Sequence, residues 1–195
     1  MHDRVILLLL TMCCFHAFAG DEDELETILN FHLMTNTIGT AGQPTKTQFE
    51  DVRNANFSVV VNLAMPDSPN ALPDEGMVVS SLDITYIHIP VPWDAPSVSH
   101  VKKFFGVMDA LEGNGEKVFV HCAANYRASA FTYKYLTLRK GISSEQATSP
   151  LLRRWLPEMD DNWKSIMELR INEIDCPDRA SNHAAHYRCR RSRTI

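Results

Sequence analysis

Cys122, Arg127 and Ser129 stand within eight residues of one another, in the stretch VFVHCAANYRASAF of residues 118–131. A thiolate is a nucleophile, and a guanidinium grips oxyanions through a planar fork. The apolar VFVH has the form of a strand, and RASAFTYKYLTLRK (127–140) has the form of a helix. The amides of a small-residue loop and of the first helical turn converge on one point and make an anion site. A thiol at the mouth of that site has its thiolate stabilised by the same amides and by the helix dipole. One geometry therefore makes Cys122 both a nucleophile and the neighbour of a bound anion. The loop positions Ala123, Ala124, Asn125, Tyr126, Arg127 and Ala128 would line the anion. Ala123 and Ala124 are small, and Asn125 is the residue other than glycine that best tolerates positive φ. A lone cysteine at a strand end reads as an inert buried thiol. The flanking His121, Arg127 and Ser129 favour the reactive reading.

Strands and helices must alternate to carry such a loop. DEDELETILNFHLM (21–34) predicts an acidic lead-in and a short helix, and TIGTAGQPT predicts a short strand ending in a Gly42–Pro44 turn. Thr45 and Gln48 have the spacing of a capping box that opens a helix over 46–56. FSVVVNLA (57–64) is a β-branched run too apolar for an exposed face, so it predicts a buried central strand. The Pro-rich MPDSPNALPDE (65–75) predicts a loop, followed by a helix over about 76–82 and a strand in ITYIHIPV (84–91). After the loop PWDAP, Ser97 can cap a helix whose stripe is Val101, Phe104, Phe105, Met108 and Leu111. Gly141 suits the position just beyond the 127–140 helix. Two more helices are expected over 143–154 and 160–174. The alternation predicts one α/β domain with a mostly parallel central sheet flanked by helices.

The ends of the chain read differently. VILLLLTMCCF is an apolar run of 11 residues behind Arg4, and Ala17-Phe18-Ala19 before Gly20 has small-x-small form. This pattern predicts a signal peptide over 1–19 and an exported chain, periplasmic or secreted. The run is too short for a membrane span, and no later stretch is long and apolar enough for one. The domain then covers 20–175, and 176–195 is a basic tail without apolar periodicity. Cys176 and Cys189 could pair as a disulfide or remain free, with Cys122 as the odd thiol. A net charge of −5 gives no global signature of nucleic-acid binding. His32, His88 and His100 are isolated, and His88 reads as a satisfied structural histidine. His183 and His186 lack further metal-ligand partners.

VHCAANYRASAF resembles the phosphate loop of the protein tyrosine and dual-specificity phosphatase superfamily. TAGQPTKTQFEDVRNANFSVVVNLAMPD and YIHIPVPWDAP are similar to a branch with small bacterial phosphatase-like domains. The resemblance covers roughly residues 30–140. It implies that Cys122 attacks phosphorus to form a phosphocysteine, that His121 orients the loop and favours the thiolate, and that Ser129 assists the sulfur. It implies a phosphorylated substrate, protein or small molecule, and no metal or other cofactor. The proton for the leaving oxygen would come from an Asp on a mobile loop. Asp94, 28 residues before Cys122, matches that place, with Asp67, Asp74 and Glu75 as weaker candidates.

The arginine departs from the family pattern. The family places it six residues after the cysteine, where this chain has Ala128, and Arg127 comes one residue early. Three outcomes follow. The loop closes sooner and Arg127 clamps the phosphate, or Arg127 points elsewhere and the domain binds phosphate without efficient turnover. In the third, the Cys-x4-Arg spacing serves rhodanese-like sulfur transfer through a persulfide.

Overall fold

The computed structural model describes residues 24–175. The signal-peptide reading of 1–19, the tail 176–195 and the pairing of Cys176 with Cys189 lie outside the described residues. Five strands form one sheet: β1 His32–Thr35, β2 Ile38–Ala41, β3 Val59–Asn62, β4 Thr85–His88 and β5 Val118–His121. Their order is β1-β2-β5-β3-β4, and only β1 and β2 pair antiparallel. The sheet carries α1 Gln48–Asn54, α2 Glu75–Ser81, α3 Val98–Glu112 and α4 Tyr126–Leu138. The chain then runs through α5 Ser144–Ala147, α6 Pro150–Trp155, a 3-10 turn at Leu156–Glu158, α7 Asp161–Glu168 and α8 Ile171–Ile174. The predicted α/β class with a mostly parallel sheet is what the chain adopts.

The two central strands show why an unbroken apolar run was required. Val59, Val61, Val118 and Val120 point into the core beneath α3 and α4, with Phe104, Phe131 and Trp163. Val60 and Phe119 point the opposite way, into a second core with Phe49, Val52, Phe57 and Val79. Strand side chains alternate between faces, so a strand covered on both faces has no polar position to spare. The α3 stripe behaves as its spacing predicts: Val101, Phe104, Phe105 and Met108 are buried, and Leu111 packs at the edge.

Four local expectations are corrected. Residues 32–34 form β1 rather than the end of a helix. Asn30 adopts φ +53°, which ends the turns over 26–30, and Thr35 opposite Ile38 closes a two-residue hairpin. The helix expected over 143–154 is two helices. Pro150 cannot continue α5 but starts α6 at its first turn, where the Ser149 hydroxyl accepts from Leu152 N at 3.1 Å. The helix expected over 160–174 breaks at Leu169, which is extended at φ −53° and ψ 138°. The buried Lys134 ammonium donates to the Met167 and Leu169 carbonyls at that break, both at 2.7 Å. Ser97 precedes α3 but does not cap it: its hydroxyl bonds His100 Nδ1 at 2.9 Å. The Thr45–Gln48 capping box is present in both directions, at 2.9 and 3.3 Å. Gly141 has the positive φ, +64°, expected beyond α4.

Ala41, His121, Asn62 and His88 stand side by side across the sheet, at the carboxyl ends of β2, β5, β3 and β4. A parallel sheet gathers the loops that follow its strands at this edge, which is where such folds build sites.

Candidate active site

β5 delivers His121 and Cys122 to that edge, fully buried at 0% and 1% exposure. Cys122 N donates to Ala41 O at 3.3 Å and Leu63 N donates to His121 O at 2.8 Å, so the loop is anchored on both neighbouring strands as it begins. The next carbonyls are occupied from outside the loop. Ala123 O accepts from Asn70 Nδ2 at 2.8 Å and from Gln43 N at 3.2 Å, and Ala124 O accepts from Asn30 Nδ2 at 3.2 Å. Gly42 of the Gly-Gln-Pro turn lies so close that a Cβ there would meet Leu29 Cδ2 at 2.9 Å.

Asn125 makes the turn. It sits in the left-handed region at φ +71°, ψ −2°, directly before α4. Its side chain compensates: Nδ2 donates to Asn30 O at 2.6 Å and Thr40 Oγ1 at 3.3 Å, and Oδ1 accepts from Ser129 Oγ at 3.1 Å. Ser129 in turn accepts from Ser149 Oγ at 3.1 Å. The Ser129 proton is thus directed to Asn125, with Ser149 behind it.

Arg127 is the second residue of α4 and only 7% exposed. Its Nε is buried without a hydrogen-bond partner, and among the described residues no carboxylate pairs with the guanidinium. Its Cζ lies 5.6 Å from the centroid of the Trp93 ring. A buried polar nitrogen without a partner is costly, and an anion reaching Arg127 would satisfy it. Ala128 is 0% exposed and packs in the core.

Trp93 brings the PWDAP loop to Arg127. Its ring lies 6.0 Å from Tyr126, 5.5 Å from Trp155 and 5.2 Å from Trp163, and it remains 41% exposed. α7 holds the loop's backbone: Trp163 Nε1 donates to Trp93 O and Asn162 Nδ2 to Asp94 O, both at 2.9 Å. Asp94 is exposed beside this contact.

The weaker carboxylates are placed elsewhere. Asp67 is exposed, and Asp74 pairs with Lys46 at 2.5 Å. Glu75 is buried at 3% exposure beneath the loop, where it accepts from His121 Nε2 at 3.1 Å and Asn62 Nδ2 at 2.8 Å, and from Gln43 Nε2. Burial pushes its carboxyl up, but the His121 hydrogen bond, the ring's charge whenever it is protonated, and the Gln43 and Tyr86 hydrogen bonds outweigh this and hold it below the usual carboxylate range. His88 is satisfied as a structural residue, bonding Ala64 O at 2.8 Å. Among the described residues no group of three or more His, Cys, Asp or Glu could hold a metal, and no helix is long and apolar enough to cross a membrane. His183 and His186 lie outside the described residues. Asn30, Asn70 and Ser149, which hold the loop, carry no sequence signal beyond being polar residues in turns.

A family model described as "DSP-PTPase phosphatase fused to NAD+ Kinase" matches residues 27–162. No curated protein matches. Among solved structures, a DUF442 phosphatase-like protein of Shewanella putrefaciens CN-32 is 34% identical, with a TM-score of 0.67, covering 74% of this chain and 93% of its own. Tk-PTP in its active form is 20% identical, with a TM-score of 0.56 over 71% of this chain and 93% of its own. PTPMT1 in complex with PI(5)P is 14% identical, with a TM-score of 0.59 over 84% and 99%. The last two share the fold.

Proposed function

The chain belongs to the family of DSP-PTPase phosphatases fused to NAD+ kinase, within the tyrosine and dual-specificity phosphatase superfamily, and on that basis we propose that it hydrolyses phosphate monoesters with Cys122 as nucleophile. The observation that carries the reading is Arg127: a buried guanidinium, with no acidic partner among the described residues, in the first turn of the helix that follows the cysteine. Bound phosphate supplies the missing counter-charge, and the loop amides share it.

The Cys122 thiolate attacks phosphorus. The P–O bond to the leaving group breaks, and its electron pair goes to the leaving oxygen, which takes a proton from Asp94. Water then attacks the phosphocysteine and passes a proton to the Asp94 carboxylate, while the P–S bond breaks to return the thiolate and free phosphate. Ser129 can assist the departing sulfur by turning its hydroxyl from Asn125 Oδ1 toward it, with Ser149 still donating to its oxygen. The exposed Trp93 face favours aryl phosphates by stacking. Export to the periplasm or outside remains part of the proposal through residues 1–19.

The test is a pair of assays on the wild-type protein. Release of phosphate from p-nitrophenyl phosphate is expected, and thiosulfate with cyanide should yield no thiocyanate. Phosphate binding without release would demote the chain to a binding module, and thiocyanate formation would favour sulfur transfer. Asp94→Asn should slow an alkyl phosphate by about 10²–10⁴-fold but p-nitrophenyl phosphate far less, because p-nitrophenolate leaves without a proton. Equal losses on both substrates, measured as kcat/KM, would remove Asp94 from the acid role.

A further inference from the structure

His121 lies 46 residues from Glu75 in the chain, yet the two side chains form a hydrogen-bonded pair that is almost wholly shielded from water. The pair sits at the centre of a larger hub. Gln43 reaches the Glu75 carboxylate from the turn after β2. Asn62 reaches it from the end of β3, and Asn62 also bonds Tyr86 of β4 at 3.0 Å and, through its Oδ1, Ala64 N at 2.7 Å. Every strand of the parallel part of the sheet thus sends a group to one carboxylate presented by the first residue of α2. His121 and Tyr86 are the titratable groups that act on it, and burial beside Glu75 pushes the Tyr86 phenol up, keeping it a neutral donor.

We propose that Glu75 is a positioning residue for the catalytic loop: its carboxylate fixes the His121 ring with the proton on Nε2 and, through that ring, holds Cys122 in its reactive setting. The chemistry of the acceptor requires this tautomer. An ionised carboxylate only accepts, so Nε2 must donate. His121 Nδ1 is buried with no partner, so nothing among the described residues competes to place the proton there. Phe49 and Phe119 flank the ring at 6.0 and 6.1 Å, leaving Glu75 as its polar anchor. His121 is the last residue of β5 and is bonded to Cys122 by the peptide itself, so a ring free to turn would release the start of the loop. The inference rests on the phosphatase reading for its consequence at Cys122, while the tautomer stands apart from it.

Two variants separate these parts. Glu75→Gln removes the charge. Glu75→Gln combined with Gln43→Glu keeps a 43–75 hydrogen bond and one negative charge but moves that charge off His121, which guards against simple misfolding. The readouts are the 15N resonances of the His121 ring and the rate of iodoacetamide alkylation at Cys122, followed on its own peptide by mass spectrometry at pH 6. In the wild type, Nε2 should carry the proton. In the swapped pair the ring should populate both tautomers, and Cys122 alkylation should slow by about tenfold, because the thiolate is the species that reacts. An unchanged tautomer, or a changed tautomer with an unchanged rate, would overturn the proposal. A wild-type Cys122 that resists alkylation, with the tautomer still lost on moving the charge, would sink the phosphatase reading and leave Glu75 as the anchor of His121.

Discussion

Cys122→Ser is expected to lose turnover by at least about 10⁴-fold, the scale of removing a covalent nucleophile, while phosphate still binds. The two effects separate because they rest on different groups. Attack on phosphorus needs a thiolate, and a serine hydroxyl, far less acidic than a thiol, stays protonated where the thiol can ionise. On the proposed mechanism binding rests on Arg127 and the loop amides, which the substitution leaves in place. Stability is a third quantity. Cys122 is 1% exposed and belongs to the same core cluster as Val120 and Ala130, so a hydroxyl there without a partner costs about 1–3 kcal/mol. Cys122→Ala avoids that cost and should be equally inactive. The measurements are kcat on p-nitrophenyl phosphate, calorimetric titration with inorganic phosphate, and urea denaturation of each variant. Turnover retained in Cys122→Ala would remove the cysteine from the reaction.

Much of the fold could be read from the chain because both faces of its central strands are covered. FSVVVNLA and VFVH have no polar alternation, and that is the mark of burial on two sides, which β3 and β5 have. β1 was hidden for a local reason. Leu25 and Ile28 fall three apart and both are buried, as on a helix face, but the chain leaves that path at Asn30. The candidate loop stood out because the residues that could do its chemistry are contiguous in sequence. Its supports did not. Asn30 and Asn70 lie 94 and 53 residues from the carbonyls they hold, and short polar side chains in turns look solvated until the fold closes over them. Glu75 is the clearest case. Beside Pro73 and Asp74 it reads as a loop carboxylate facing water, hence a candidate acid. It is instead the first residue of α2, turned inward at the one place where three strand ends offer it donors.

Arg127→Ala is expected to lower kcat on aryl phosphates by about 10²–10³-fold and to weaken phosphate binding as well. Position 128 could not serve in its place. α4 begins at Tyr126, immediately after the left-handed Asn125, so Arg127 and Ala128 both lie in its first turn, about 100° apart around the axis. Ala128 faces the core at 0% exposure, and Arg127 faces Trp93 and the PWDAP loop. Moving the cation, as in Arg127→Ala with Ala128→Arg, should therefore fail to restore activity and should destabilise the protein, because it forces a charge among Val120, Ala130 and Phe131. Arg127→Lys should recover a part of the binding and little of the rate, since an ammonium supplies charge without the two-pronged geometry. Arg127 also rests against an exposed tryptophan, so phosphate binding should change tryptophan fluorescence in the wild type and not in Arg127→Ala. Equal kcat in wild type and Arg127→Ala would mean that the loop amides hold the phosphoryl group alone and that the guanidinium beside Trp93 serves packing.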